Sequence, residues 1–295
     1  MTDDSMMAVV PRHVLIAGCG YLGRRAADAW MQKGIRVSVI TRGESKAGDL
    51  QEAGFHPIIA DLASCQLPVL PDVDTVLWSV GFDRSSGSTR QAVWIDGLNR
   101  LVQHLPTSVR RFLYVSSTGV YGQSAGETVD EASTAEPTTE SGQCCLHAEQ
   151  LLRRSFESSV VEFTVLRMAG LYGPDRLLRR VSDLINGVPL AGNPDSFLNL
   201  VHIDDAVAAV MNQAAVEAVP LINVVNTGTL TRMEYYSALA ALVDAPLPTF
   251  DPATAAARGG NKRVVSSVRN QLNLAYCFDD TATGLKDAVA RSADL

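Results

Sequence analysis

The stretch His13-Val-Leu-Ile-Ala-Gly-Cys-Gly-Tyr-Leu-Gly23 joins an apolar run to three glycines with the spacing G-x-G-x-x-G. The apolar residues 13–17 predict a buried strand. The residues after the glycines have a helical pattern, with apolar side chains on one face at Leu22, Ala26, Ala29 and Trp30. A glycine-rich turn between a strand and a helix is the context in which this motif binds dinucleotides. The stretch therefore predicts a dinucleotide-binding loop.

Each glycine of this loop has a separate physical task. Gly18 would make the tight turn, Gly20 would let a pyrophosphate approach the backbone, and Gly23 would let helix and strand pack closely. The following helix would present free amide groups and the positive end of its dipole to the phosphates. The residues expected to bind the cofactor here are Gly18, Gly20, Tyr21, Leu22 and Gly23.

Strand-like and helix-like patterns alternate along the rest of the chain. Strands are predicted at 13–17, 36–40, 56–60, 74–80, 109–116, 161–167 and 221–226. Helices are predicted at 21–33, 45–53, 90–105, 142–157, 204–216, 231–243 and 281–292. Because such alternation builds right-handed β-α-β crossovers, the fold class is α/β, with a Rossmann-type, doubly wound parallel sheet.

The domain organisation follows from where this rhythm loosens. Residues 13–170 are expected to form the NAD(P)-binding Rossmann domain, with segments near 200–228 returning to it. Residues 171–295 are expected to form mostly a smaller substrate-binding region of α/β type. Residues 1–12 are acidic and lack the basic-then-apolar order of a signal peptide, so we expect a flexible leader there.

Composition excludes several classes of partner. The 295 residues carry a formal net charge of -7 with no basic stripe, which argues against binding to nucleic acid. No apolar run is long enough to span a membrane. The five cysteines form neither a C-x-x-C pair nor a zinc spacing, so no metal is expected and a reduced, cytoplasmic protein is favoured. The expected partner is a small-molecule substrate, and a homodimer is left open.

The end of the second predicted strand bears on which nucleotide is bound. An acid at this position would hold the ribose 2′-hydroxyl of NAD, but the strand ends in Thr41-Arg42. An arginine can neutralise a 2′-phosphate, so NADP is favoured over NAD. Asp61 would either face the adenine or cap the next turn. The remaining residues expected to bind cofactor are Leu62, Val80 and Gly81.

Five segments together resemble the epimerase/dehydratase branch of the extended short-chain dehydrogenase/reductase superfamily. They occur in that family's order from about residue 13 to about residue 290. They are Gly18-Cys-Gly-Tyr-Leu-Gly23, Tyr114-Val-Ser-Ser-Thr-Gly-Val-Tyr-Gly122, Leu166-Arg-Met-Ala-Gly-Leu-Tyr-Gly-Pro174, Asn199-Leu-Val-His-Ile-Asp-Asp-Ala206 and Val225-Asn-Thr-Gly228. The resemblance implies a Rossmann domain, a small C-terminal substrate domain and a nicotinamide cofactor.

The resemblance also implies a catalytic serine, tyrosine and lysine, with an asparagine on the helix after the fourth strand. Ser117 matches the serine, which orients the substrate oxygen. Ser141 stands where the family has its tyrosine, Cys145 where it has its lysine, and Asp96 where it has the asparagine. A serine hydroxyl is much less acidic than a phenol, and a thiol cannot replace the cation. The chain resembles atypical family members that lack the tyrosine-lysine pair.

Two other side chains are candidates for proton transfer. Tyr121 follows the fifth strand and could act as an acid, although the family uses this tyrosine mainly to line the pocket. Asp96 could act as a base if burial raised its pKa, or it could only bond to backbone or water. With Ser117, either residue would support an NAD(P)-dependent reductase or epimerase acting on a hydroxyl-bearing small molecule such as a nucleotide sugar. The alternative is a non-catalytic protein that senses NADP(H).

Several further residues have more ordinary interpretations. Adjacent Cys144 and Cys145 are expected to be small apolar side chains rather than a strained disulfide. Asp204 and Asp205 lie at a predicted helix start and are expected to cap it. Arg167 ends the sixth strand and could bind an acidic substrate group, but a structural ion pair is the favoured interpretation.

Overall fold

A computed structural model describes residues 10–64, 66–176, 180–251 and 260–293 of the chain. Its helices are α1 Tyr21–Gln32, α2 Glu44–Glu52, α3 Gly97–Gln103, α4 Glu140–Phe156, α5 Val181–Ile185, α6 Ile203–Ala215, α7 Arg232–Leu242 and α8 Thr281–Arg291. Its strands are β1 His13–Ala17, β2 Arg36–Thr41, β3 His56–Ile59, β4 Thr75–Trp78, β5 Arg111–Ser117, β6 Glu127–Val129, β7 Glu162–Met168, β8 Gly170–Tyr172, β9 Leu190–Ala191, β10 Phe197–Leu198, β11 Leu200–His202, β12 Leu221–Val224, β13 Leu230–Thr231, β14 Phe250–Asp251 and β15 Lys262–Val264. A π-helical stretch, Gln91–Asp96, runs directly into α3.

The central sheet has seven strands in the order β12-β7-β5-β4-β1-β2-β3. From β1 the chain adds β2 and β3 on one side of the sheet. It then crosses back, and β4, β5, β7 and β12 follow on the other side of β1. All the pairs from β3 to β5 are parallel, and Ala17 of β1 pairs with Ile40 on one side and Trp78 on the other. This order confirms the predicted Rossmann-type sheet. Ligands of such sheets bind where the strand order reverses, between β1 and β4.

The core explains why the first strand and helix form where the sequence predicts them. All five residues of β1 are buried, as expected for a central parallel strand covered on both faces. Leu22, Ala26 and Trp30 of α1 are buried against the sheet, and Trp30 is completely inaccessible. The apolar spacing of α1 therefore matches the helical period. None of the helices in the described ranges is long and apolar enough to cross a membrane.

The helix predicted over 90–105 is divided in the structure. Gln91–Asp96 has π-helical hydrogen bonding, and α3 begins only at Gly97. A Cβ at Gly97 would lie 2.7 Å from the carbonyl oxygen of Leu62, so the backbone packs closely at the point where the helix type changes. Hydrophobic spacing alone does not distinguish these two helix types, and π-helical turns are frequent at functional sites.

The chain divides into two compact units. The first unit contains the chain up to Ser117, Thr138–Arg167 and Ala209–Ile222. The second unit contains Thr118–Pro137, Met168–Ala208 and the chain from Asn223 onward. The sequence placed 118–137 in the Rossmann domain, whereas β6 within it pairs with β15 of the second unit. Strands of three residues carry too little pattern for this pairing to be predicted.

The second unit has its own apolar core around α7 and α8. Tyr172, Tyr235, Leu239 and Leu285 are completely buried in it. A Cβ at Gly284 would lie 2.0 Å from the hydroxyl of Tyr172, so α8 can pack here only with glycine at this position. This packing makes the C-terminal helix part of the core of its unit.

The N-terminus of α8 gives a prediction on acid stability. The carboxylate of Asp280 accepts bonds from the hydroxyl and the amide of Thr283, at 2.7 and 2.9 Å, and these bonds lower its pKa. We expect Asp280→Ala to cost about 1 kcal/mol at pH 7. Because the folded-state pKa is depressed, the charged cap stabilises the fold above the unfolded pKa of about 3.9, and this stabilisation is lost as the pH falls through the folded value.

Urea unfolding of the wild type, Asp280→Ala and Asp280→Asn at pH 7 and at about pH 3, below the unfolded pKa, tests this cap. Asparagine keeps an acceptor but carries no charge, so it is the matched control. The stability difference between wild type and Asp280→Asn should shrink as the pH falls. An unchanged difference at both pH values would show that the charge of Asp280 contributes nothing.

Candidate cofactor-binding and active site

The glycine loop between β1 and α1 is held by close backbone contacts. Gly18 has a φ of +93°, and a Cβ there would lie 2.7 Å from the backbone of Ser79 and Val80. A Cβ at Gly23 would lie 2.1 Å from the carbonyl oxygen of Gly18 and 2.6 Å from the hydroxyl of Ser79. The Ser79 hydroxyl donates to the same carbonyl at 2.6 Å. Both glycines are therefore required by packing, and Ser79 fixes the loop.

Gly20 differs from the other two glycines of the motif. It precedes α1 with extended backbone angles and provides no side-chain cap, and a Cβ there would meet no atom within 4 Å. The first amides of α1 consequently have no side-chain acceptor from this position. An uncapped helix N-terminus beside open space is suited to a phosphate group. Because the open space lies at the residue where a pyrophosphate would pass, the loop fits a dinucleotide.

Two cationic side chains lie near this loop. Arg42 follows β2 and pairs with Asp83 at 2.8 Å, in an ion pair where both side chains are about half exposed. Lys46 of α2 reaches back to the glycine loop and donates to the carbonyl oxygen of Cys19 at 3.1 Å. Lys46 could not be predicted from the sequence, because its position depends on how α2 packs. Both cations could attract a phosphate attached to the ribose.

The partner of Arg42 is firmly ionised. Hydrogen bonds from Ser85 and from Arg42 lower the pKa of Asp83 to about 2. A 2′-phosphate bound by Arg42 would therefore have to compete with a carboxylate that is negative throughout the physiological range. The exposed position of the pair makes this competition weak, since surface ion pairs contribute little.

The other predicted cofactor residues follow β3 and β4. The Asp61 carboxylate accepts the amide of Ala63 at 2.9 Å, which is the turn-capping alternative for this residue. Leu62 is buried in the core, and its carbonyl accepts Arg100 at 2.5 Å. Val80 is half-buried and Gly81 is exposed, and a Cβ at Gly81 would meet nothing within 4 Å. The segment after β4 therefore leaves space beside the loop.

A buried polar network lies beneath Ser117, the last residue of β5. The preceding Ser116 donates its hydroxyl to Glu149 of α4 at 2.5 Å. The same carboxylate forms a bidentate pair with Arg167 of β7, at 3.1 Å to Nε and 2.7 Å to Nη2. Side chains of both Glu149 and Arg167 are only 6% exposed. Of the two interpretations of Arg167, the ion pair is therefore the one found. Its partner Glu149 was not predicted from the sequence.

Ser141 and Cys145 lie one turn apart at the start of α4. The Ser141 hydroxyl is half-buried and lies 3.3 Å from that of Thr139, the helix cap. Burial raises the pKa of the Cys145 thiol to about 12, and the charge of Glu149 adds to the rise. Cys145 is therefore a neutral side chain, so it cannot stabilise an anion on its neighbours. Cys19, Cys144, Cys145 and Cys277 are free thiols among the described residues.

Asp96 ends the π-helical stretch on the surface. Its side chain is exposed and accepts the amide of Gln91 at 3.1 Å. The role of a general base depends on burial, which is absent here. The observed position agrees with the simpler alternative, a helix aspartate bonded to polar neighbours.

Tyr121 belongs to the second unit and is 2% exposed. Its hydroxyl lies 2.8 Å from the carbonyl oxygen of Asp130 and 2.9 Å from the side-chain oxygen of Asn223. The phenolic proton is thus engaged by acceptors of its own unit. A buried phenol held in this way serves packing first, and the role of Tyr121 as an acid stays a prediction.

The aspartates at the start of α6 do not cap the helix, so that expectation was wrong. The helix begins at Ile203, which places Asp204 and Asp205 inside its first turn. Asp205 accepts the amides of Cys277 and Phe278 at 2.7 and 3.0 Å. These bonds tie a distant segment to the helix.

Two carboxylates lie beside His202, which is completely buried. His202, Asp204 and Asp287 place potential ligand atoms within 4.8 Å of one another. Burial lowers the pKa of His202, and its Nδ1 accepts the amide of Asp204. The guanidinium of Arg291 lies 2.7 Å from Asp204 and 2.9 Å from Asp287. Arg291 therefore supplies the positive charge between the two carboxylates.

Comparison with protein families gives a match over most of the chain. The model of the NAD dependent epimerase/dehydratase family matches residues 14–225. The uncharacterized protein y4nG of Sinorhizobium fredii is 21% identical over 232 residues, which are 73% of this chain and 56% of that protein. The chain thus spans about half the length of this curated relative.

Solved structures share the whole fold. MoeE5 in complex with UDP-glucose and NAD gives a TM-score of 0.79 at 20% identity, over 95% of this chain and 98% of that one. UDP-glucuronic acid 4-epimerase from Bacillus cereus, in complex with UDP-glucuronic acid and NAD, gives 0.77 at 18% identity over the same shares. At these identities the similarity shows a common fold.

Proposed function

Since the chain belongs to the NAD-dependent epimerase/dehydratase family, we propose that it binds a nicotinamide dinucleotide at Gly18–Gly23 and acts on a hydroxyl-bearing small molecule. The observation that carries this proposal is the geometry at Gly20. Open space at this residue adjoins an uncapped helix N-terminus, while Gly18 and Gly23 are closely packed. Gly18 and Gly23 shape the loop through their close packing, and the open position at Gly20 leaves space for a ligand.

The chemistry that a nicotinamide supplies when bound is hydride transfer to or from a carbon that bears a hydroxyl. We propose that Ser117 orients the substrate oxygen through its hydroxyl. The network of Ser116, Glu149 and Arg167 would hold the end of β5, and with it Ser117, in a fixed position. Ser141 and Cys145, at the positions of the family's tyrosine and lysine, would leave proton transfer to another group. We propose that a bound substrate would bury the exposed carboxylate of Asp96 and thereby fit it for this role.

For the substrate we propose a nucleotide sugar. The two solved neighbours contain UDP-glucose and UDP-glucuronic acid. The excess of acidic residues in this chain favours a small molecule over a nucleic acid, and the free thiols favour the cytoplasm. A homodimer is also proposed, and light scattering of the purified chain would test it.

The choice between the two dinucleotides is the finer part of the proposal. Both solved neighbours contain NAD. In this chain Arg42 follows β2 and Lys46 reaches the glycine loop, so two cations are near the position of a ribose phosphate. We therefore propose NADP. Arg42→Ser is expected to weaken NADPH binding by about tenfold or more and to leave NADH binding nearly unchanged, because one charge-assisted contact is lost.

Titration of NADPH and NADH, followed by nicotinamide fluorescence, tests both parts of the proposal. Arg36→Ser removes the same charge at the other end of β2 and is the matched control. Absence of binding of either nucleotide at millimolar concentration would sink the proposed function. If Arg42→Ser lost affinity equally for both nucleotides, or if the wild type preferred NADH, the choice of NADP would be contradicted. The proposed binding of a nicotinamide dinucleotide would still stand.

A further inference from the structure

A cationic and aromatic group lies where the π-helical stretch faces the start of α4. Arg90 precedes this stretch, and its guanidinium carbon lies 4.5 Å from the ring centre of Phe82. Trp94 packs edge-on against the same ring, with the centroids 6.0 Å apart. We call these three residues, Phe82, Arg90 and Trp94, the Arg90 cluster. All of it belongs to the first unit.

Two donors of the Arg90 cluster are buried without an acceptor. Among the described residues, neither Nε of Arg90 nor Nε1 of Trp94 has a hydrogen-bond partner, although both atoms are inaccessible. Leaving a buried donor unpaired is costly, and unpaired groups in a native fold call for an explanation. Both groups can only donate, and one carries a positive charge. A ligand group that satisfied them would have to be an acceptor, preferably an anion.

The existing partner of Arg90 shows what kind of group fits. Nη1 of Arg90 binds a carboxylate oxygen of Glu140 at 2.5 Å. The two side chains differ greatly in exposure, since that of Arg90 is 19% exposed and that of Glu140 is 68% exposed. The arginine is thus held in place by the fold, whereas the acid reaches it from the surface. An acid on a side chain as exposed as this one can be exchanged for another at low cost.

The location connects the Arg90 cluster to the proposed active site. Glu140 is the residue before Ser141, and Asp96 ends the π-helical stretch that follows Arg90. Cys144, the neighbouring thiol, does not compete as an anion, because burial and the charge of Glu140 raise its pKa. An anionic group bound here would lie beside the residues at the family's catalytic positions.

We propose that the Arg90 cluster binds an anionic group of the substrate, a carboxylate or a phosphate, which displaces Glu140 from Arg90. This inference deepens the proposed function and rests on it, because the anion is taken to be part of the substrate. Arg90 would donate through Nη1, the group that Glu140 binds, and Nε of Arg90 and the indole nitrogen of Trp94 would become accessible as donors when the Glu140 and Arg90 side chains shift. Glu140 would occupy the site in the free protein and keep out weakly binding anions.

Calorimetric titration with UDP-glucuronic acid, UDP-glucose and inorganic phosphate tests the proposal in four proteins. They are the wild type, Arg90→Met, Glu140→Gln and the control Arg154→Met, which removes an equal charge on the exposed far end of α4. Arg90→Met should weaken the binding of UDP-glucuronic acid by about tenfold or more, because the variant loses a charge-assisted hydrogen bond. Glu140→Gln changes an exposed side chain and removes the competing carboxylate, so it should bind UDP-glucuronic acid more tightly than the wild type.

The paired nucleotide sugars distinguish the two sources of the anion. If Arg90→Met loses affinity only for UDP-glucuronic acid, the site binds a sugar carboxylate. If it loses affinity equally for UDP-glucose, the site binds the diphosphate. Unchanged affinities in both Arg90→Met and Glu140→Gln would overturn the inference, as would failure of the wild type to bind any of the three probes. Nicotinamide fluorescence of the same preparations separates this failure from that of the proposed function, which predicts cofactor binding in every variant.

Discussion

Gly23→Ala is expected to abolish dinucleotide binding and to destabilise the first unit by about 3 kcal/mol, at the upper end of the cost of overpacking. The added Cβ would lie 2.1 Å from the carbonyl oxygen of Gly18 and 2.6 Å from the Ser79 hydroxyl. The first of these atoms belongs to the backbone, so no rotation of a side chain can relieve the contact. Either α1 moves away from the sheet or the loop changes shape, and both changes remove the phosphate site.

The matched variant is Gly20→Ala, which makes the same chemical change three residues earlier. Nothing lies within 4 Å of its added Cβ, so the fold should retain its stability. The methyl group would instead occupy the space that a pyrophosphate needs, and nucleotide affinity should fall while the unfolding midpoint stays constant. Thermal unfolding and NADPH titration of both variants separate the two effects. Equal stability of Gly23→Ala and the wild type would contradict the packing argument.

Arg167→Met is expected to cost about 3–5 kcal/mol, because it leaves the carboxylate of Glu149 buried without its cation. The bidentate pair and the hydroxyl of Ser116 are this carboxylate's partners in the core. Methionine has a similar length and no charge, so the loss would reflect electrostatics more than volume. Activity on any substrate should fall with stability, since Ser117 adjoins the network.

The double variant Glu149→Leu, Arg167→Met provides the control. Removing both charges leaves an apolar pair, and such replacements are often neutral or stabilising. We expect the double variant to recover more than half of the loss, measured as the free energy of unfolding in urea. A double variant less stable than either single one would show that the ion pair itself, rather than its incomplete removal, determines stability.

The glycine loop and the central sheet were predictable because their signals are local. An apolar run followed by Gly18, Gly20 and Gly23 specifies a strand, a turn and a helix within twenty consecutive residues or so. The alternation of such units limits the topology to a few right-handed arrangements. The observed order, with β1 between β2 and β4, confirms the fold derived in this way.

The candidate site was less predictable because its contacts join distant segments. Glu149 meets Ser116 and Arg167 only after β5, α4 and β7 have packed together. Lys46 reaches the glycine loop from α2, and nothing in its own sequence neighbourhood indicates this. Spacing within a helix says which residues share a face. It does not say which strand that face covers or which cation lies beside which acid.

The bond from the Ser79 hydroxyl to the Gly18 carbonyl has a consequence for how the cofactor arrives. With Gly23 packed against the same carbonyl, contacts within the chain itself fix the shape of the glycine loop. Ligands that must first order a loop lose affinity to conformational entropy. A preformed loop avoids this loss, so association should proceed in one step at a rate set by diffusion and electrostatic attraction.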